Sequence, residues 1–208
     1  MEQIDVVLIR AQEHDYEYRQ WHEDVRLGYL ASMLDRQGLS WRVFDYALRP
    51  LLNEAEFSRA VREIIACSPQ TCVFVMEKYP TNSPFMTCDL ISRLLASPGG
   101  PDPYLVIYGI TAVGTERLVR DLPLNAVVTG EEREFVALIN ALRDGTSLSN
   151  VPGIAFMGAD GTVTKTRPLP LLSDLDVLPN PTRYFFDLPL EEQRTRGYVA
   201  GLLASRGC

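Results

Sequence analysis

The chain has 208 residues, 46% hydrophobic and 23% charged, a balance that supports a sizeable core in one domain plus an appendage. Its formal net charge of −7 argues against nucleic acid as a partner, because phosphate recognition depends on clustered lysine and arginine. No stretch approaches the roughly 18 uninterrupted apolar residues of a membrane span, MEQIDVVLIR lacks the basic start and long apolar run of a signal peptide, and cysteines at 67, 72, 88 and 208 form no paired framework, so a reducing cytoplasm is expected.

In chain order, IDVVLIR (4–10) is a β-branched run of the kind buried on both faces of a parallel sheet. After a polar, aromatic loop, VRLGYLASMLDRQG (25–38) places Leu27, Leu30, Ala31 and Leu34 on one helical face and stops at Gly38. WRVFDY (41–46) is a second strand. EAEFSRAVREIIACSP (54–69) sets Phe57, Val61, Ile64 and Ile65 at helical spacing. TCVFVME (71–77), PFMTCDLISRLLAS (84–97) and YLVIYG (104–109) continue as strand, helix and strand, with a short helix near 114–121. NAVVTG (125–130) is a fifth strand. Phe135, Leu138, Ile139 and Leu142 define the last helix, closed by Asp144-Gly145.

Five short apolar strands alternating with helices predict an α/β doubly wound, five-stranded parallel sheet over residues 1–150. The texture then changes. GIAFMGADGTVTKT (153–166) reads as a hairpin turning at Asp160-Gly161. Residues 167–189, with prolines at 168, 170, 179, 181 and 189, read as an ordered connector, too apolar for a free tether. Residues 151–196 thus form hairpin and connector, and GYVAGLLASRGC (197–208) begins a new strand.

Open sheets of this class bind ligands outside the carboxyl ends of their strands. The candidate ligand loops are therefore 11–24, 77–84, 109–114 and 130–134, where Gly109, Gly114 and Gly130 permit close backbone approach. In TGEERE, the carboxylates of Glu131, Glu132 and Glu134 either complement the helix dipole or meet a ligand; they would repel a phosphate. The chain has neither GxGxxG after its first strand nor GxxxxGK[ST], so dinucleotide and phosphate-loop readings are poor. His14 and His22 sit among carboxylates, as solvated loop residues or as metal ligands. Cys67, Cys72 and Cys88 are expected to be buried and inert.

The order of segments resembles the N-terminal half of cobalamin-binding radical SAM enzymes. The resemblance lies in LGYLASMLDRQGLSWRVFDY (27–46), VIYGITAV (106–113), NAVVTGEEREFVALINAL (125–142), VPGIAFMGADGTVTKT (151–166), PLPLLSDLDVLPNPTRYF (168–185) and LLASRGC (202–208). It implies a Rossmann-like cobalamin-binding domain, with Cys208 as the first thiolate of a CxxxCxxC triad that opens a radical SAM barrel. The [4Fe–4S] cluster and S-adenosylmethionine would belong only to a full-length enzyme, since the other two cluster cysteines are missing. DxHxxG, the element that carries a histidine to cobalt in many cobalamin proteins, is also missing, as it commonly is in the family resembled, and the resemblance implies base-off binding without a histidine ligand.

The resemblance implies cobalamin contacts at Gln12 after the first strand and at Glu77, Tyr79, Thr81 and Asn82 after the third, with Tyr79 near the lower face. Gly109, Ile110 and Thr111 after the fourth strand, and Thr129, Gly130, Glu131 and Glu132 after the fifth, would pass the nucleotide tail. The reaction implied for the parent enzyme is methyl transfer to an unactivated carbon or phosphorus centre. Its small-molecule or peptide substrate would be held by the missing part. The alternative is a cofactor-free binding or scaffold module; a phospho-receiver version is weak, because Glu77 follows strand three and no lysine follows VVTG.

Overall fold

The computed structural model describes residues 3–11, 24–49, 51–76, 83–97, 102–109 and 114–184. The expected alternation is present: β1 (Val6–Arg10), α1 (Val25–Arg36), β2 (Trp41–Asp45), α2 (Glu54–Ala66), β3 (Thr71–Val75), α3 (Ser83–Ala96), β4 (Tyr104–Tyr108), α4 (Thr115–Asp121), β5 (Ala126–Val128) and α5 (Glu132–Asp144). Caps set the helix ends. The Asp24 carboxylate accepts from the Arg26 amide ahead of α1, the Asn53 side chain from the Glu56 amide ahead of α2, and Gly145 closes α5 at φ 64°.

A sheet in the order β2-β1-β3-β4-β5 is parallel throughout, and the chain reverses its direction of travel between β1 and β3. That reversal is the switch point, where the carboxyl ends diverge and leave a crevice. Alternate strand residues feed two cores. Val6 and Leu8 pack with α1 and α5, whereas Val7 and Ile9 pack with α2 and α3, which is why the strands read as unbroken apolar runs.

The hairpin is part of the same sheet. β6 (Ile154–Met157) pairs antiparallel with β5, and β7 (Val163–Lys165) pairs with β6, making seven strands. Its turn uses Gly161 at φ 77°, as Asp-Gly predicts. From Arg167 the connector is fixed by its own hydrogen bonds. Leu169 N donates to Glu134, Arg133 donates to the Pro170 carbonyl, and Arg36 donates to the Val177 carbonyl at 2.9 Å. Further on, Thr182 N donates to the Gly28 carbonyl at 3.0 Å and Ser32 Oγ to the Asn180 carbonyl at 2.6 Å. The connector therefore runs across α5 and α1 and brings Tyr184 into the core beside α1.

Cys67 and Cys72 are buried as expected, and burial pushes the Cys72 thiol up to about 12. Cys88 departs from expectation: it lies on the flank of α3 and is only half-buried. Among the described residues, no helix is long and apolar enough to cross a membrane.

Candidate functional site

At the carboxyl edge, β1 ends in Arg10 and β2 in Asp45, and the parallel register sets the two side by side. Arg10 Nε lies 2.7 Å from Asp45 Oδ1 and Nη2 2.9 Å from Oδ2, a two-pronged pair with both side chains 3% exposed. Asp24, just ahead of α1, brings a second carboxylate to 3.8 Å from Arg10 Nη1. Arg26 grips that carboxylate from the other side, at 3.0 Å from Nε to Oδ1 and 2.5 Å from Nη2 to Oδ2. The Tyr184 hydroxyl completes the group, accepting from Asp24 N and donating to Asp45 Oδ2, each at 2.7 Å.

Two guanidiniums against two carboxylates make the cluster neutral, which is how it tolerates burial. Burial opposes the charge on Arg10, yet Asp45 and Asp24 outweigh it and hold the guanidinium protonated beyond its ordinary range. Burial likewise pushes the Asp24 carboxyl up, but the Arg26 hydrogen bond and the charges of Arg10 and Arg26 bring it below its ordinary value. For Tyr184, burial and then the Asp45 charge act together, and the phenol is held well above its ordinary range.

These directions set a pH window. A phenol that holds its proton more tightly when folded stabilises the fold fully below about pH 10, and that contribution fades as pH rises further. A carboxyl held low stabilises the fold above about pH 4, and that contribution is lost as pH falls. Urea unfolding across pH should therefore show a plateau between these limits. Tyr184→Phe should lower the plateau and make the alkaline decline shallower, while leaving the acid limb in place. An unchanged alkaline limb would contradict the assignment.

Arg26 also reaches across the switch point. Its Nη1 donates to the Met76 carbonyl, just past β3, at 3.1 Å. Gly109 follows β4 at φ 99°, and a Cβ there would fall 2.6 Å from that same carbonyl and 3.6 Å from Arg26 Nη1. Gly109 thus has an internal reason to be glycine, in backbone conformation and in space.

The α5 end resolves into structure as well. The amides of Thr129 and Gly130 both donate to the Gly153 carbonyl, at 2.8 and 3.1 Å. Glu134 is buried between two glycines: a Cβ on Gly130 or on Gly153 would lie 2.6 Å from its side chain. Its carboxylate accepts from the amides of Glu131 and Leu169, both at 3.0 Å, joining the helix start to the connector. Glu132 is buried too, and Glu131 partly so.

Of the sequence-derived site residues, the structure brings Gly109, Thr129, Gly130, Glu131 and Glu132 to the carboxyl edge at β4 and β5. Gln12, Glu77, Tyr79, Thr81, Asn82, Ile110, Thr111 and Cys208 lie outside the described residues, as do His14 and His22. Sequence reasoning missed the cluster of Arg10, Asp24, Arg26, Asp45 and Tyr184. Its available signal was that two neighbouring strands, IDVVLIR and WRVFD, each end an apolar run on an opposite charge. A cavity of about 610 Å³ opens along β2, and its lining joins Trp41, Val43 and Arg49 to Asp45 and Tyr184 of this cluster.

No family model matches this chain, and no curated protein matches it. Solved structures do. Over 100% of its length it is similar to 27% of the cobalamin-dependent S-adenosylmethionine radical enzyme OxsB with aqua-cobalamin and S-adenosylmethionine bound, at TM-score 0.76 and 17% identity. OxsB in its apo form gives TM-score 0.73 at 16% identity over the same shares. The radical S-adenosylmethionine methyltransferase TsrM from Kitasatospora setae, with cobalamin and a [4Fe–4S] cluster bound, matches 86% of this chain to 31% of its own, at TM-score 0.62 and 17% identity. The chain spans less than a third of the length of these neighbours, and the fold it shares with them is the Rossmann-like one that the order of segments implied.

Proposed function

We propose that this chain is the cobalamin-binding part of a cobalamin-dependent radical S-adenosylmethionine enzyme. The observation that carries the reading is the match of the whole chain to OxsB with aqua-cobalamin bound. The edge fits such a group on its own terms. A doubly wound sheet presents its switch-point crevice along that edge, and the residues that follow β4 and β5 there, Gly109 and Gly130, carry no side chain. The expected repulsion of a phosphate by the TGEERE carboxylates is partly offset at Glu134, which turns inward and accepts from two backbone amides.

In this reading Gly109, Thr129 and Gly130 line the tail channel with Ile110, Thr111, Glu131 and Glu132. Gln12, Glu77, Tyr79, Thr81 and Asn82 bound the corrin. When bound, cobalamin would supply a cobalt centre able to carry a methyl group. The chain's own work would be to bind and orient it, with no histidine offered to the metal. The finer proposal is methyl transfer to an unactivated carbon or phosphorus centre, with Cys208 as first thiolate of a cluster completed by a longer polypeptide.

Anaerobic titration with hydroxocobalamin tests this, followed by gel filtration, visible spectroscopy and EPR after one-electron reduction. Stoichiometric retention with a base-off signal free of nitrogen superhyperfine splitting is expected. The second reading, a cofactor-free scaffold, is favoured by one observation: Gly109, Gly130 and Gly153 all have internal packing reasons to be glycine. It predicts no retention by a folded sample, and that result would overturn the proposal.

A further inference from the structure

The capping of α1 does not need the Arg26 guanidinium. The Asp24 carboxylate already accepts from the Arg26 amide at 2.9 Å, which satisfies the helix end. The side chain instead extends across the crevice, and a continuous series of bonds passes through it. Tyr184 of the connector holds Asp24 N, the Asp24 carboxylate holds Arg26, and Arg26 holds the Met76 carbonyl. Met76 N in turn donates to the Tyr108 carbonyl at 2.9 Å, immediately before Gly109. The series starts where Tyr184 of the connector packs beside α1 and finishes where β3 and β4 meet the ligand edge.

We propose that Arg26 is a positioning residue that couples the seating of the connector to the shape of the ligand edge, so that connector docking and cobalamin binding favour each other. The inference rests on the cobalamin reading for its ligand, though not for the coupling itself. A bidentate guanidinium–carboxylate pair has a fixed fork geometry, so a displacement at Tyr184 that moves Asp24 is passed on to Arg26 and the Met76 carbonyl. Glycine at 109 leaves the space in which the Arg26 guanidinium meets the Met76 carbonyl, since a Cβ there would fall 2.6 Å from that oxygen. Linkage makes the effect reciprocal: whatever factor a seated connector adds to cobalamin affinity, bound cobalamin adds to seating.

The test compares wild type, Arg26→Gln, Tyr184→Phe and the double variant. Tyr184→Phe keeps the ring that packs beside α1, so it remains informative if Arg26→Gln proves poorly folded. Each single variant is expected to bind hydroxocobalamin about tenfold more weakly, and the double no more weakly than either single. A merely structural role predicts additive losses, and additive losses, or none, would overturn the proposal.

Hydrogen exchange without ligand provides an arm independent of cobalamin. Tyr184→Phe should quicken exchange at the Met76 amide, and Arg26→Gln should quicken it at Thr182, whose amide is bonded to the Gly28 carbonyl. Should the wild-type chain retain no cobalamin while both exchange effects appear, the cobalamin reading falls and the coupling stands. Should neither exchange effect appear, the coupling falls, whether or not cobalamin binds.

Discussion

Asp45→Ala is expected to destabilise the chain by about 3–5 kcal/mol, the usual cost of removing one partner from a buried ion pair. For a chain of this size that corresponds to a fall in Tm of roughly 10 °C. The loss of the contact itself is the smaller part. Arg10 would remain buried at the end of β1 without its two-pronged acceptor, and the Tyr184 hydroxyl would lose the group it donates to. Replacing both members by apolar residues, Arg10→Met with Asp45→Leu, should recover most of the loss, because neither partner is then left as an unpaired buried charge and Asp24 keeps its pairing with Arg26. Urea and thermal unfolding of the three proteins check this. A single variant within about 1 kcal/mol of wild type would show that water reaches the cluster.

The second large effect is at Gly28. Inside a helix, glycine costs about 1 kcal/mol relative to alanine, so Gly→Ala within α1 would ordinarily stabilise. Here a Cβ would sit 2.6 Å from the Thr182 carbonyl oxygen and 3.1 Å from Pro181 Cβ, against backbone that cannot yield locally. Gly28→Val should lift this part of the connector off α1. The hydrogen bond from Thr182 N to the Gly28 carbonyl and that from Ser32 to Asn180 would go with it. Two such bonds at about 1 kcal/mol each correspond to roughly 30-fold more frequent opening. Tryptic cleavage after Arg183 should accelerate by a similar factor while the far-ultraviolet circular dichroism is unchanged. Equal cleavage rates would mean that the connector is held chiefly elsewhere.

Local pattern made most of the fold legible. The apolar runs of β1 and β3 and the 3.6-residue spacing in α1, α2 and α5 each reflect burial of one residue by its own neighbours. The Asp160-Gly161 and Asp144-Gly145 turns need a positive φ that glycine supplies. NAVVTG reads as a strand over 125–130, but β5 is only Ala126–Val128, because Thr129 and Gly130 turn their amides to Gly153 instead of continuing the ladder. What sequence could not show is whatever joins distant residues. The Arg10–Asp45 pair bridges 35 positions and the Asp24–Tyr184 bond 160, and no spacing rule operates over such separations. At the candidate site, the glycines expected from their places after β4 and β5 are at the edge. Glu134, read as complementing the helix dipole or meeting a ligand, is turned inward between two glycines and caps the helix start.

The 160-residue reach of Tyr184 also has a consequence in time. At roughly 5–20 residues per second of synthesis, on the order of 10–30 s separates the emergence of Asp24 from that of its phenolic partner. Arg10 and Asp45 can meet early, while still in water, where bringing the charges together costs little. Their water is removed only when Tyr184 arrives and covers them. The penalty for drying the ion pairs thus falls on the docking of the connector, which makes that step the late and slow one in the assembly of a sheet whose strands have already found their order.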